Sequence, residues 1–204
     1  MDASSIILLT GFLYIALFGG LSLFRREGLS IRFEIEALTV TLGSILWTWA
    51  TGSLIHPVFF LLIIYILTMR VRLMVDIANI FARRGNYSTA QKIYGLAGHL
   101  WTDPTNRLIL AVNQGALCLH QDALDESITI FKNILAESNH GFLSIRYESA
   151  AHYNLGVAYV RKGLESLATA EFKNILEIWP ASEYARAASN AIDRQKKSQD
   201  QNQN

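Results

Sequence analysis

The chain has one cysteine, Cys118, which excludes an internal disulfide framework. Only three of its 204 residues are proline, so little in it forbids long helices. Charge is scarce as well. Charged residues make up 17% and the formal net charge is +1, so no overall field recruits nucleic acid. The patterns H-E-x-x-H, C-x-x-C, G-x-x-x-x-G-K and G-x-S-x-G do not occur. The five histidines (His56, His99, His120, His140 and His152) show no ligand spacing. No catalytic residue, metal or cofactor is expected of such a chain.

What it has in excess is apolar residues, 51% of the total, and the long runs lie ahead of Met69. Ile6 to Phe24 is 19 residues without a charge, close to the roughly 20 that a spanning helix needs. A secretory signal peptide would want positive charge before this run and an A-x-A-like site after it. Neither is present, so a retained span is expected over 6–24.

Next, Ile31, Phe33 and Ile35 alternate with Arg32, Glu34 and Glu36 as in a strand. An isolated strand at a membrane would leave its backbone groups unpaired. A helix capped by Ser30 instead gathers Ile31, Ile35, Leu38, Leu42 and Ile45 on one face. It also sets Arg32 one turn from Glu36. These residues read as the interfacial turns of a second span over 37–55, with Trp47 and Trp49 suited to an interfacial belt. In that span Ser44, Thr48 and Gly52 recur every fourth residue, a face on which membrane helices approach closely.

His56-Pro57 makes the turn into a third run, expected over 57–75. There Arg70 and Arg72 snorkel to the headgroups. A re-entrant hairpin made by the second and third runs is the alternative. Neither proline nor glycine interrupts the chain from Ile66 to Arg84, so the third span is expected to continue without a break into the second half of the chain.

Three spans place Arg25, Arg26 and Arg32 on the same side as Arg70, Arg72, Arg83 and Arg84. Positive residues stay in the cytoplasm, which predicts the N-terminus outside and the second half cytoplasmic, in a cell (inner) membrane.

That second half repeats itself. Leu155, Gly156, Tyr159, Ala168, Phe172 and Pro180 stand at the spacings W-x2-L-G-x2-Y…A-x3-F…P, with His152 in the tryptophan place. A degenerate copy carries Gly115, Ser127 and Phe131, with Cys118 in the aromatic place, where a buried thiol is expected. Another carries Ile77, Ala78, Phe81, Gly85, Ala90 and Tyr94, with Pro104 slightly late as its closing proline.

On these residues the half resembles the tetratricopeptide repeat family over about 71–182. The resemblance implies an α-solenoid of three helix-turn-helix repeats (71–104, 108–141, 149–182), which with the transmembrane helices expected from the apolar runs of 1–70 makes the chain all-α. A capping helix is expected over 182–195, with Ser182 as N-cap and Tyr184, Ala187, Ala188, Ala191 and Ile192 on its apolar face. The polar tail 196–204 is expected to be disordered. The steps Tyr94–Phe131 and Phe131–Phe172 are 37 and 41 residues, against about 34 in the family. A longer loop or an extended helix is therefore expected before the third repeat.

Arrays of this kind bind peptides or helices in a concave groove lined by each repeat's first helix. Carried over by register, the groove presents Arg72, Val75, Asn79 and Arg83, then Ile109, Val112, Ala116 and His120, then Ala150, Tyr153, Val157 and Arg161. That lining is aliphatic and aromatic with arginines at the edges, which suits an amphipathic helix or an extended segment with acidic flanks. The subtype that clamps a chaperone's C-terminal carboxylates is disfavoured. Asn79 fits it, but Val75 and Tyr153 stand where cations are wanted. Asn86-Tyr87-Ser88 is a glycosylation sequon by pattern, and a cytoplasmic location makes it a coincidence.

The sequence thus predicts a non-enzymatic, membrane-anchored adaptor that holds a protein partner beside the bilayer. The alternative is an assembly factor or accessory subunit, bound to another membrane protein through the Ser44-Thr48-Gly52 face. No charge within the first two spans marks an ion or proton path, which disfavours a transporter.

Overall fold

A computed structural model of the chain describes residues 3–25, 31–53, 55–100, 102–138 and 143–202. Every element among them is helical: α1 (Ala3–Arg25), α2 (Ile31–Thr51), α3 (Pro57–Arg83), α4 (Tyr87–Gly98), α5 (Pro104–His120), α6 (Leu124–Ser138), α7 (Ile145–Arg161), α8 (Glu165–Ile178) and α9 (Glu183–Asn202). The suggested cap Ser30, and with it Arg26 and His140, lies outside the described residues.

Helices α1 to α3 form a bundle around Ile7, Tyr14, Phe33, Ala37, Phe60, Ile64 and Met69. By length and composition, α1 (over Ser4–Ser22) and α3 are the described helices able to cross a membrane. Their outward faces are strongly apolar, with Phe12, Leu13, Phe59 and Leu62 all more than half exposed. Helix α2 carries Arg32, Glu34 and Glu36 in its first turns and stops at Thr51, short of residue 55. Gly52 ends it with φ +68°, the left-handed conformation that glycine takes at a helix C-terminus.

Helices α1 and α2 come close just ahead of the Ser44-Thr48-Gly52 stripe. A Cβ on Gly11 would lie 2.4 Å from Thr41 Oγ1, so these two residues are the crossing point. Thr41 returns its hydroxyl to Ala37 O at 2.8 Å. Tyr14 and Thr68 share a buried hydroxyl–hydroxyl bond of 2.7 Å between α1 and α3.

Helix α3 is unbroken, as the lack of proline and glycine led one to expect. Its 27 residues make a rod of about 40 Å. Its apolar first half belongs to the bundle, while Val75 and Ala78 are core to the first hairpin with Ala90, Tyr94 and Ala97 of α4. His56 caps it, its Nδ1 accepting from Val58 N at 3.3 Å, with Pro57 in the first turn.

Three antiparallel hairpins succeed one another, α3/α4, α5/α6 and α7/α8. In the second and third, glycine meets a ring. A Cβ on Gly115 would come within 2.8 Å of Phe131, and one on Gly156 within 2.5 Å of Phe172. Both phenylalanines are fully buried, as are Ala168 and Ser127, and the latter donates to Gly115 O at 3.0 Å.

The first helices of the second and third hairpins begin early. Pro104 opens α5 behind the N-cap Asp103, whose Oδ1 accepts from Asn106 N at 2.9 Å. It does not close the first hairpin: proline fits a first helical turn as readily as a stop. Helices α5 and α7 each run 17 residues, starting at 104 and 145 rather than 108 and 149. These extra first turns absorb much of the surplus between repeats.

The cap α9 starts behind Ser182, whose Oγ accepts from Ala185 N at 2.9 Å. It buries Ala185, Ala188 and Ile192 on the last hairpin. It then continues helical to Asn202, past residue 195, where disorder was expected. Gln195 is buried and accepts from Thr169 Oγ1 at 2.9 Å, which carries the packed helix to that point. Beyond it, the lysines and glutamines are good helix formers that need no core to continue it.

The hairpin turns use left-handed residues at matching places: Gly85 (φ +77°), Asp122 (φ +61°) and Gly163 (φ +73°). Asp122 is the costly one, since a side chain there loses most of glycine's advantage. Replacing it by glycine is expected to stabilise the protein by about 0.5 kcal/mol. Gly156→Ala gains helix propensity but presses on Phe172, which has no room to yield. It is expected to cost about 1–3 kcal/mol. Denaturant unfolding of the two variants, followed by circular dichroism, checks that the signs are opposite.

Candidate functional site

The first helices of the three hairpins, α3, α5 and α7, enclose a concave cavity of about 420 Å³. Of the expected groove residues, Arg72, Val75, Asn79, Arg83, Ile109 and Val112 line it, with Ala116 and Ala150. Asp76, Asn113, Arg146, Tyr147, Asn154 and Tyr184 line it too, without having been expected.

Its character differs from the sequence reading. Val75, Ile109 and Val112 are each at most 4% exposed, so they form the floor and not the working surface. What a ligand would meet is polar: three arginines, one aspartate, three asparagines and two tyrosine rings. Arginine forks and asparagine amides of this kind suit carboxylates and peptide backbone.

His120, Tyr153, Val157 and Arg161 do not line the cavity. His120 is exposed at the end of α5. Tyr153 is spent on packing, 5.9 Å from the Phe172 ring and 6.0 Å from Tyr184. Val157 packs on the same core. Arg161 is turned back onto the second hairpin, donating to Leu119 O at 2.7 Å and standing 3.8 Å from Asp122. Register carried them to the groove, but in the third hairpin α7 presents an earlier part of its length, 146–154. Only the surplus residues before the repeat hinted at that.

A hydrogen-bonded chain sets the cavity floor. Tyr94 in α4 donates to Asn79 Oδ1 at 2.5 Å, Asn79 Nδ2 donates to Asn113 Oδ1 at 3.0 Å, and Asn113 Nδ2 donates to Ile109 O at 2.8 Å. Asn79 is therefore a strut between the first two hairpins and not a free clamp for a carboxylate. Burial pushes the Tyr94 phenol up to about 12. Burial also raises Tyr184, opposed by the guanidinium of Arg146 hydrogen-bonded to it.

Cys118 is buried, and its thiol is pushed up by burial first and by nearby Glu126 second, which leaves it a poor nucleophile. Among the described residues no group of three or more His, Cys, Asp or Glu side chains is placed to hold a metal ion. Asn86 of the sequon caps α4, its Oδ1 accepting from Thr89 N at 3.2 Å.

The expected membrane-packing face turns inward. Thr48 is buried and donates to Ser44 O at 2.9 Å, Ser44 is half-buried, and Gly52 lies beyond the helix end. Thr48 shares the buried side of α2 with Phe33, Ala37 and Thr41. That side faces this chain's own bundle.

Arg70 is likewise no free snorkel. It forks onto Glu36, Nη1 to Oε2 at 2.6 Å and Nη2 to Oε1 at 2.9 Å, while its Nε donates to Leu100 O at 3.2 Å. Arg32 adds a bond to Glu36 Oε1 at 2.9 Å. One guanidinium thus fastens α2, α3 and the chain after α4.

The Tyr94 phenol gives a pH signature. Its folded value lies above the ordinary 10.0 of a tyrosine, so the folded protein keeps a proton that the unfolded chain releases. Its contribution is whole below pH 10 and is lost as the pH rises toward about 12. Tyr159 and Tyr184 act in the same direction. Unfolding free energy measured from pH 9 to pH 12 should fall across that window, and fall less steeply in Tyr94→Phe.

No protein-family model and no curated protein matches the chain. Among solved structures it is similar to the N-terminal domain of stress-induced protein-1 (STI-1) from C. elegans, at 18% sequence identity over 61% of this chain and 95% of that one, with a TM-score of 0.49.

Proposed function

We propose that the protein is a non-enzymatic, membrane-anchored adaptor whose tetratricopeptide-like hairpins hold an acidic segment of a partner protein at the cytoplasmic face. The observation that carries this reading is the polar cavity on α3, α5 and α7, in which Arg72, Arg83 and Arg146 outnumber the single Asp76. A concave surface with three arginines against one aspartate is suited to acidic side chains on an extended or helical segment.

The anchor in this reading is the α1–α3 bundle. All three helices cross, with α2 entering through Ile31 to Glu36. The bidentate Arg70–Glu36 pair supports this, because a carboxylate matched by a guanidinium can lie at the edge of the hydrocarbon where an unmatched one would be costly. The arginines of 25–32 and 70–84 support a reading with the N-terminus outside and the hairpins inside. The subunit alternative is the weaker one, since Thr48 is buried within this chain and Ser44 is half-buried beside it.

Two measurements test the reading. In sealed right-side-out vesicles the hairpins should resist added protease, and cleavage from the outside overturns the topology. A glutamate-rich helical peptide should bind the detergent-solubilised protein in a salt-sensitive way. Arg83→Glu with Arg146→Glu should weaken that binding by roughly tenfold, about 1.4 kcal/mol. Unchanged affinity in the folded double variant overturns the groove.

A further inference from the structure

A second cavity, of about 510 Å³, opens at the joint between the bundle and the hairpins. Three parts of the chain wall it: α2 through Ile35, Thr39 and Val40, α3 through Leu67, and the end of the first hairpin through His99 and Leu100. Its size lies in the range of small-ligand sites. It shares no lining residue with the concave cavity on α3, α5 and α7.

Most of the lining is apolar, and the polar side chains are those of Glu36, Thr39, Arg70 and His99. What each can offer a ligand follows from the bonds it already makes. Thr39 donates its hydroxyl hydrogen to Ile35 O at 2.7 Å, which leaves its oxygen as an acceptor. His99 Nδ1 lies 2.7 Å from Gly95 O. A carbonyl cannot donate, so Nδ1 carries the hydrogen, and in the neutral ring Nε2 is an acceptor. Glu36 Oε1 is taken by Arg70 and Arg32, while Oε2 receives Arg70 alone and keeps a lone pair. Arg70 spends Nε on Leu100 O, Nη1 on Glu36 Oε2 and Leu67 O, and one Nη2 hydrogen on Glu36 Oε1. A single Nη2 hydrogen remains. One donor is thus left against acceptors on three side chains.

The apolar lining leads on toward the bundle. One turn beyond Thr39, nothing lies within 4 Å of where a Cβ on Gly43 would stand. One turn before Leu67, Ile63 is about half exposed. The ligand that matches has an apolar tail and a head rich in N–H, with one acceptor beside them.

We propose that the cavity holds a phosphatidylethanolamine, its head among Glu36, Thr39, Arg70 and His99 and one acyl chain along Val40, Leu67 and Ile63. The ammonium donates to the acceptors on Glu36, Thr39 and His99, and the phosphate takes the last Arg70 hydrogen. Phosphatidylcholine carries the same phosphate and chains but no N–H. Phosphatidylglycerol carries hydroxyls but brings a net negative charge beside Glu36. A head bound here touches α2, α3 and the chain after α4, the same three parts that Arg70 fastens. Delivery of the lipid from the cytoplasmic leaflet rests on the membrane reading, whereas the choice of head does not.

The test uses the full chain, delipidated in dodecyl maltoside and offered equal amounts of the three dioleoyl lipids. Bound lipid is counted by native mass spectrometry. One phosphatidylethanolamine per chain should be retained, at several times the occupancy of either other lipid. Val40→Trp fills the apolar part and should bring the ethanolamine lipid down to the level of the choline lipid. His99→Phe keeps a ring and removes an acceptor, and should lower ethanolamine retention several-fold with choline retention unchanged. His99 is exposed, so this variant decides the matter even where Val40→Trp does not fold. Equal retention of the ethanolamine and choline lipids, as a cavity reserved for another protein would show, overturns the proposal. So does a preference for the glycerol lipid, or a selectivity that survives both substitutions. Flotation with phosphatidylcholine vesicles is scored separately. A chain that floats without selecting among lipids fails this inference alone, and one that selects without floating fails the membrane reading instead.

Discussion

The protein depends on the guanidinium of Arg70. It is the point at which an apolar bundle and an array of hairpins, each with its own core, become one body. Its fork takes both oxygens of Glu36 on α2, and its remaining nitrogen holds Leu100 O beyond the end of α4. Removing it would leave the half-buried Glu36 carboxylate to Arg32 alone and take away a tie between α2 and the hairpins. Losses of that kind exceed what a fully exposed ion pair contributes, because the partner left behind is partly shielded from water. The Tyr14–Thr68 bond works similarly one level deeper, tying α1 to the same helix. Both attachments fall on α3, which belongs to the core of the bundle and to that of the first hairpin alike.

The two halves achieve closeness by different means. Within the bundle a single glycine, Gly11, admits the side chain of Thr41. In the hairpins a glycine faces an aromatic ring instead, Gly115 on Phe131 and Gly156 on Phe172. The first hairpin has Ala78 at that place opposite Tyr94, and the ring there reaches a hydroxyl out to Asn79. The tyrosine replaces part of a packing contact with a polar strut, and the strut becomes the cavity floor. The aromatic place of the first hairpin thus serves its core and supports the candidate site as well.

The features that could be foreseen came from the periodicity of the chain. The residues Leu155, Gly156, Ala168 and Phe172 announced a hairpin because small and large side chains at that spacing have few other uses. The unbroken α3 came from a stretch with no proline or glycine. Local signals with two meanings went astray. Pro104 read as an end and proved to be a beginning, and Gly52 read as a packing residue and proved to be a helix stop. The groove was half legible. Positions on α3 and α5 arrived as expected, but Arg146, Tyr147 and Tyr184 lie before or after the recognisable motif and had no pattern to point to them.

The continuity of α3 has a mechanical meaning. A rod of about 40 Å with no hinge is a lever. If its apolar half lies in a bilayer, its angle to the membrane normal varies with bilayer thickness, since long spans tilt to match thinner ones. Pivoting about its midpoint by about 10° carries the far end, where Asn79 and Arg83 line the cavity, sideways by roughly 3 Å. The height and aim of the groove would then be set by the lipid, with no ligand and no flexible joint involved.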